Sequence, residues 1–509
     1  MQYEALIQAM GMVFTFETVM WMLIGSALGI TMGALPGLTA PTAVALALPL
    51  TFQMQFAPAL GLLIGLYKGA IYGGSISAIV FSIPGTPASA ATIADGYKLT
   101  QQGKTLKALL MALYASITSD LVASLAVILV APAIIAAALS FGPSERFWLT
   151  ILAVTLIGSL AGKHMAKGLF SAALGIYLAT IGSDPISGAF RNTFGLSVLQ
   201  DGLPLIPLVV GLFAIGPLLE DGIALCMSKK RVQRVKVVFK EIFSSDFGEG
   251  LTIREYLRTW KEMAIGTIVG AIAGALPGLG AAVGAFLSYS IAKQVSPKKK
   301  IGTGTIEGVA ASESGNSATV GPALLPLLAF GIPGSATVAL IGGALMLQGL
   351  TPSPRMFSLY PEAVYSIFII LLVTNFCLLG IGRVFTLFFA RVGQIPKQLI
   401  IPAIFMLSVI GTYVTEYNPS HVGLMLVIGV IAFGMRIFNI PLSPLLITFM
   451  ITPVMEVNLR QALLIGGGDF YSALFDSPLA IGLIIITVSM LLGVYLLTRR
   501  KQRSPGLDE

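Results

Sequence analysis

The chain has 509 residues, 56% hydrophobic and 11% charged, with a formal net charge of +8 and a mean hydropathy of +0.89. A soluble protein of this length carries about a quarter charged residues, so a soluble globular enzyme is excluded. The apolar runs lack period-two alternation, which excludes a β-barrel, and the basic residues fall in short loops, which reads as membrane topology rather than a nucleic-acid surface.

The N-terminal "MQYEALIQAMGMVFTFE" holds no Lys or Arg. It lacks the basic region of a cleaved signal peptide and is expected to remain and to lie on the outer side. "GALPGL" (33–38) then interrupts an apolar stretch and leads to the uncharged loop "TFQMQFAP". "SIPGTPASAAT" (82–92) is the second interruption, and the loop after it carries Lys98, Lys104 and Lys107. "DLVASLAVILVAPAIIAAALSFG" (120–142) is long enough to cross ~30 Å of hydrocarbon. A polar stretch over about 227–262 follows, with "KKRVQRVKVVFK" at 229–240. Beyond it "GALPGL" recurs at 274–279, followed by the basic "KQVSPKKK" (293–300) and by "GIPGSATVA" (331–339). The chain closes with the apolar "PLAIGLIIITVSMLLGVYLL" and the basic "TRRKQR" (498–503).

Two matched pairs of interruptions in the same order predict two repeats: 1–225 and 263–497, joined by a cytoplasmic basic linker over 226–262 and ending in a cytoplasmic tail over 498–509. Loop charge reverses between the halves, which predicts inverted orientation in the bilayer. The expected fold is an all-α polytopic membrane protein with two inverted repeats and about 12 transmembrane helices with broken or re-entrant segments.

Proline ends or kinks a helix, and glycine admits the left-handed conformation that closes one. A hydroxyl residue next in line supplies the cap of the following helix. "IPGTP" and "IPGS" thus read as helix stop, glycine, cap and helix start, with Thr86 and Ser335 as caps and Pro87 at a first helical position. Unpaired backbone groups survive at membrane depth only inside protein or beside water. Helix N-termini suit an anion, and freed carbonyls suit a cation. Close packing of small residues is the competing explanation for any one break. The expected binding residues are Gly33, Pro36, Gly37 and Thr39 with Ser82, Pro84, Gly85, Thr86 and Ser89 in the first half. In the second they are Pro277, Gly278, Gly280, Asn316, Pro333, Gly334, Ser335 and Thr337.

Glu307 and Glu313, among small residues in "TIEGVAASESGNSATVGPALLP", are the coupling-ion candidates. Asp95 reads as a loop residue, and Asp120, Glu416, Glu456 and Asp469 rank below the two glutamates. His164 reads as a loop residue and His421 has no nameable partner. Cys226 and Cys377 match no metal spacing. "QGKT" (102–105) has Lys98 where a phosphate-binding loop needs glycine. "GGGD" (466–469) matches an intramembrane aspartyl protease motif but lacks a second aspartate in place. No cofactor is expected, no metal beyond a transported Na⁺, and no nucleic acid.

With these motifs in view, the chain resembles the large membrane subunit of the tripartite tricarboxylate transporters, the TctA family. The resemblance rests on "GALPGLTAPTAVALALPLTF", "YGGSISAIVFSIPGTPASAATIADGYKLTQQGK", "PGLGAAVGAFLSYSIAK", "FGIPGSATVALIGGALMLQGLTPSP" and "PVMEVNLRQALLIGGGDF". "EGVAASESGNS" is similar to a family stretch, but has Ser312, Gly315 and Ser317 where the family has Pro, Ala and Asn. The resemblance implies a multi-pass protein of the bacterial inner membrane that imports di- or tricarboxylates by symport with Na⁺ or H⁺. It implies two partners, a small TctB-like membrane subunit and a periplasmic TctC-like solute-binding protein. The alternatives are a passive organic-anion channel and an intramembrane hydrolase.

Overall fold

The computed structural model describes residues 2–35, 38–160, 165–184, 188–227, 250–389, 397–475 and 477–503. The chain is an all-α polytopic membrane protein. Among the described residues seven helices are long and apolar enough to cross a membrane; of the shorter apolar helices, Ala40–Thr51 and Ala336–Leu347 each follow a proline–glycine break.

The first half runs α1 (Gln2–Val13), α2 (Phe16–Ala34), α3 (Ala40–Thr51), α4 (Phe56–Phe81), α5 (Ala90–Gln101), α6 (Thr105–Leu139), α7 (Pro143–Leu160) and α8 (Met165–Ala179). A two-residue hairpin pairs β1 (Gly182–Ser183) with β2 (Phe190–Arg191), and α9 (Leu205–Val210) continues through a π-helical turn into α10 (Gly216–Met227). The second half comprises α11 (Ile253–Arg258), α12 (Trp260–Ala275), α13 (Gly280–Val295), α14 (Ile306–Ser317), α15 (Val320–Phe330), α16 (Ala336–Leu347), α17 (Met356–Leu359), α18 (Pro361–Phe389), α19 (Lys397–Glu416), α20 (Pro419–Ile437), α21 (Leu442–Ile465), α22 (Phe470–Phe475) and α23 (Pro478–Arg503).

The same backbone geometry recurs at matched places in the two halves. α2 ends at Leu35 (φ −90°, ψ 115°) and α12 ends at Leu276 (φ −93°, ψ 115°). The residue before each IPG is left-handed, Ser82 at φ 58° and Gly331 at φ 72°. Gly85 N–H donates to Gly74 O at 3.3 Å, and Gly334 N–H donates to Ala323 O at 3.3 Å. α5 and α16 close alike: Gly103 (φ 77°) and Gly349 (φ 79°) follow the last turn, and Lys104 and Leu350 N–H each bond five residues back at 2.9 Å. That is a glycine-terminated Schellman closure used twice. It exposes a further sequence match, Gln102-Gly-x-Thr105 against Gln348-Gly-x-Thr351.

The halves also pack reciprocally. α3 lies on α16 while α5 lies on α13, and α6 lies on α14 and α15 while α18 lies on α4.

The tightest contact is between α2 and α4. A Cβ on Gly25, Gly29 or Gly33 would sit within about 2.5 Å of a carbonyl oxygen of α4, and one on Gly69 would sit 2.5 Å from Ser26 O. Side chains of one atom let these backbones touch, as in membrane helix pairs generally. Gly69→Val is expected to lower stability by more than ~2 kcal/mol, measured by thermal unfolding in detergent. Gly11→Ala, with no atom within 4 Å of the added carbon, is expected to leave the transition unchanged.

Candidate functional site

The left-handed residues were expected to be the glycines of the IPG motifs. They are instead Ser82 and Gly331, one step before Ile-Pro-Gly. Gly85 and Gly334 serve close approach: a Cβ on Gly85 would lie 2.2 Å from Gly33 O, and one on Gly334 would lie 2.9 Å from Gly274 O. In each half the IPG break is therefore pressed against the first glycine of GALPGL. In the second half Gly278 N–H also donates to Gly334 O at 3.3 Å. Pro36 and Gly37 lie outside the described residues.

The capping reading holds for Ser335, whose Oγ accepts from Val338 N–H at 3.3 Å. At Thr86 it is corrected. Thr86 Oγ1 accepts from Ser89 N–H at 3.3 Å and Ser89 Oγ accepts from Thr86 N–H at 3.2 Å, but α5 starts only at Ala90. The reciprocal bonds have the form of a capping box, but they close a turn over Thr86–Ser89 immediately ahead of the helix.

Although the two breaks share a backbone, their surroundings differ. Pro84 and Pro87 are exposed, and Pro333 and Gly334 are buried. An open cavity of about 1040 Å³ borders the first break; Thr39, Thr42, Pro84 and Thr86 line one wall and Lys167, Glu220, Arg436 and Asn439 another. Arg436 Nε donates to Glu220 Oε2 at 2.5 Å, and Lys167 Nζ donates to Phe438 O. Proline rings and hydroxyls thus face two cations, one already paired. Ser82 and Thr39 are half-buried, Ser89 is buried, and Gly33 lies in the α2–α4 contact. Gly280 (φ 64°) and Pro277 sit at the start of α13; Thr337 is buried in α16.

Glu313 and Glu307 are not brought together. Glu313 is wholly buried on α14. Its carboxylate accepts from Ser75 Oγ at 2.7 Å, from Ser116 Oγ at 3.3 Å and from Thr92 Oγ1, which also lies 2.9 Å from Ser312 Oγ. Four helices, α4, α5, α6 and α14, thus share one acid. Asn316, one turn on, is also wholly buried. Glu307 instead pairs with Lys299 at 3.5 Å, beside buried Glu262, which accepts from Ser296 Oγ at 2.6 Å. Among the described residues no three His, Cys, Asp or Glu side chains gather as metal ligands.

Asp95 is corrected from a loop residue to a buried position within α5. Its carboxylate accepts from the N–H of Gly302, Gly304 and Thr305 at 2.7–3.0 Å and from Tyr289 Oη at 2.8 Å. This nest of backbone amides ties the first half to the start of α14. Asp469 is an exposed cap. Its Oδ2 accepts from Ser472 N–H at 2.9 Å, and that bond holds the carboxyl below its usual range. "GGGD" is therefore a turn before α22, not half of a protease site. Also unforeseen was the buried pair of Lys68 and Asp120, 2.6 Å apart, although a single Lys within the apolar α4 run was a readable signal. Asp95→Asn is expected to cost ~1–3 kcal/mol, since one carboxylate oxygen gives way to an NH2 that cannot accept from the nest; thermal unfolding reads it, with Asp469→Asn expected to shift far less.

The sequence matches the Tripartite tricarboxylate transporter TctA family over residues 19–447. Two proteins of Agrobacterium vitis are similar. One, described as "Uncharacterized 52.8 kDa protein in TAR-I ttuC' 3'region", is 33% identical over 478 residues, 93% of this chain and 93% of that protein. The other, "Uncharacterized protein in TAR-II ttuC' 3'region", is 33% identical over 217 residues, 42% of this chain and 90% of that protein. No solved structure matches. The chain belongs to the tripartite tricarboxylate transporter TctA family, a membrane transport component and not an enzyme.

Proposed function

We propose that this chain is the translocating subunit of a binding-protein-dependent symporter in the bacterial inner membrane. It imports an organic di- or tricarboxylate with Na⁺ or H⁺. It works with a small TctB-like membrane subunit and a periplasmic TctC-like solute-binding protein. Its two repeats are inverted in the bilayer, as the reversed loop charge suggests.

The observation that carries this reading is the unequal exposure of two equivalent breaks. The first borders a cavity of about 1040 Å³, large enough for a citrate-sized anion, and exposes Pro84 and Pro87, while Ile332, Pro333 and Gly334 of the second are buried. If each repeat can take the other's arrangement, the site opens alternately to the two sides of the membrane. Thr39, Thr86 and the turn at Ser89 supply donors for carboxylate oxygens, and Lys167 and Arg436 supply charge. Glu220 holds Arg436 until a carboxylate replaces it. The buried Glu313 lies where α5, which follows the first break, meets α14. A cation or proton bound there would be linked to the solute through Thr92.

The test is uptake of labelled citrate and a dicarboxylate panel into proteoliposomes holding both membrane subunits, with the binding protein and with or without an inward Na⁺ or H⁺ gradient. Gradient-driven uptake is expected. Arg436→Ala should weaken apparent affinity about tenfold or more, and Glu220→Gln should strengthen it, because a competing carboxylate is gone. Thr86→Ala should lower uptake. Flux that ignores both gradients, or that needs no binding protein, would favour a passive organic-anion channel instead.

A further inference from the structure

Lys68 is the one charged residue of α4 and sits at its centre. Its Nζ lies 2.6 Å from Asp120 Oδ2 on α6 and donates to Leu371 O on α18. Lys68 and Asp120 are 3% and 2% exposed. An ion pair so deep in an apolar bundle loses much of its Coulombic gain to desolvation. Ionisable groups at such depth mark transport function by default.

The pair borders a small cavity, also lined by Ser116, Ser317 and Asn375. It has about 10 Å³ of room for the centre of a water-sized guest, close to what one small particle needs. Two oxygens there are buried without a hydrogen-bond partner, Asp120 Oδ1 and Asn375 Oδ1. Counted from the glycine of each IPG motif, Ser317 stands where Lys68 does. The cavity is therefore lined from both halves, by α4 and α6 of the first and by α14, α15 and α18 of the second. Ser116 also donates to Glu313, which links the cavity to the buried acid.

We propose that this cavity is a binding site for one small dehydrated monovalent cation of the size of Na⁺, which competes with the Lys68 ammonium for Asp120. A carboxylate, an amide oxygen and two hydroxyls form a hard, all-oxygen donor set for an ion of that kind. Two cations cannot share Asp120 at this depth, since like charges a few ångströms apart repel strongly in a low dielectric. Bound Na⁺ thus displaces Lys68, and a released ammonium favours an anionic solute. The transport role rests on the symport reading above; the binding itself does not.

The experiment uses the full chain, purified in detergent, without solute or gradient. Thermal unfolding and calorimetric titration are run in NaCl, KCl and choline chloride. NaCl alone is expected to raise the melting temperature of the wild type, and Asp120→Asn should abolish that response. Lys68→Met, which removes the competitor, should bind Na⁺ about tenfold or more tightly and regain stability in NaCl but not in choline chloride. The neutral double variant Lys68→Met/Asp120→Asn controls for folding and should ignore Na⁺. A Lys68→Met protein that melts equally low in every salt would make the pair a structural strut. A Na⁺ response that survives Asp120→Asn would place the ion elsewhere. Either result overturns the proposal. Na⁺ binding at Asp120 without gradient-driven uptake would instead refute the symport reading and leave this site standing.

Discussion

A broken helix inside a membrane domain leaves peptide groups that lipid cannot satisfy, and everything distinctive in this structure follows from how those groups are covered. The chain breaks four matched segments and presses each IPG against its own GALPGL. Gly85 N–H bonds Gly74 O, and Gly334 N–H bonds Ala323 O, at the same distance. Those bonds form only because no Cβ intervenes: the carbonyls of Gly33 and Gly274 lie where one would stand. The breaks are thus rigid, backbone-lined features rather than loose loops, which is what a binding site held at membrane depth requires.

Two equivalent frames in one chain also explain the asymmetry. Identical backbone geometry does not demand identical neighbours. The first break faces α8, α10 and α20 across a cavity. In the second, Ile332, Pro333 and Gly334 are buried and Ser335 is half-buried.

The buried polar groups fall on the seam between the halves. The Asp95 carboxylate is wrapped by amides from the other half, Glu313 gathers hydroxyls from three first-half helices, and Lys68–Asp120 lies beside residues of α15 and α18. Each group would be costly alone. The Asp95 and Glu313 carboxylates are instead satisfied by partners that meet only when the halves are docked, whereas Lys68 and Asp120 both belong to the first half and the Lys68 bond to Leu371 O crosses the seam. Asp95 has the fuller shell and reads as a clamp. Lys68–Asp120 keeps unpartnered oxygens beside it and reads as a place where occupancy changes.

The sequence by itself determined the class and the frame. Apolar runs with sparse charge specify membrane helices, because hydrocarbon tolerates little else. Proline with glycine marks where they break, because one removes a donor and the other removes a side chain. GALPGL and IPG each occur twice, in the same order. Only the tertiary structure decided which glycine is left-handed and which is merely close, since Ser82 carries the strained angle that IPG suggested for Gly85. It alone moved Asp95 from a loop into a nest built by residues 302–305, separated Glu307 from Glu313, and brought Lys68 to Asp120 across two helices. Those pairings join positions far apart in the chain, and local pattern encodes what a segment will do to its own backbone, not which distant segment will satisfy a buried charge.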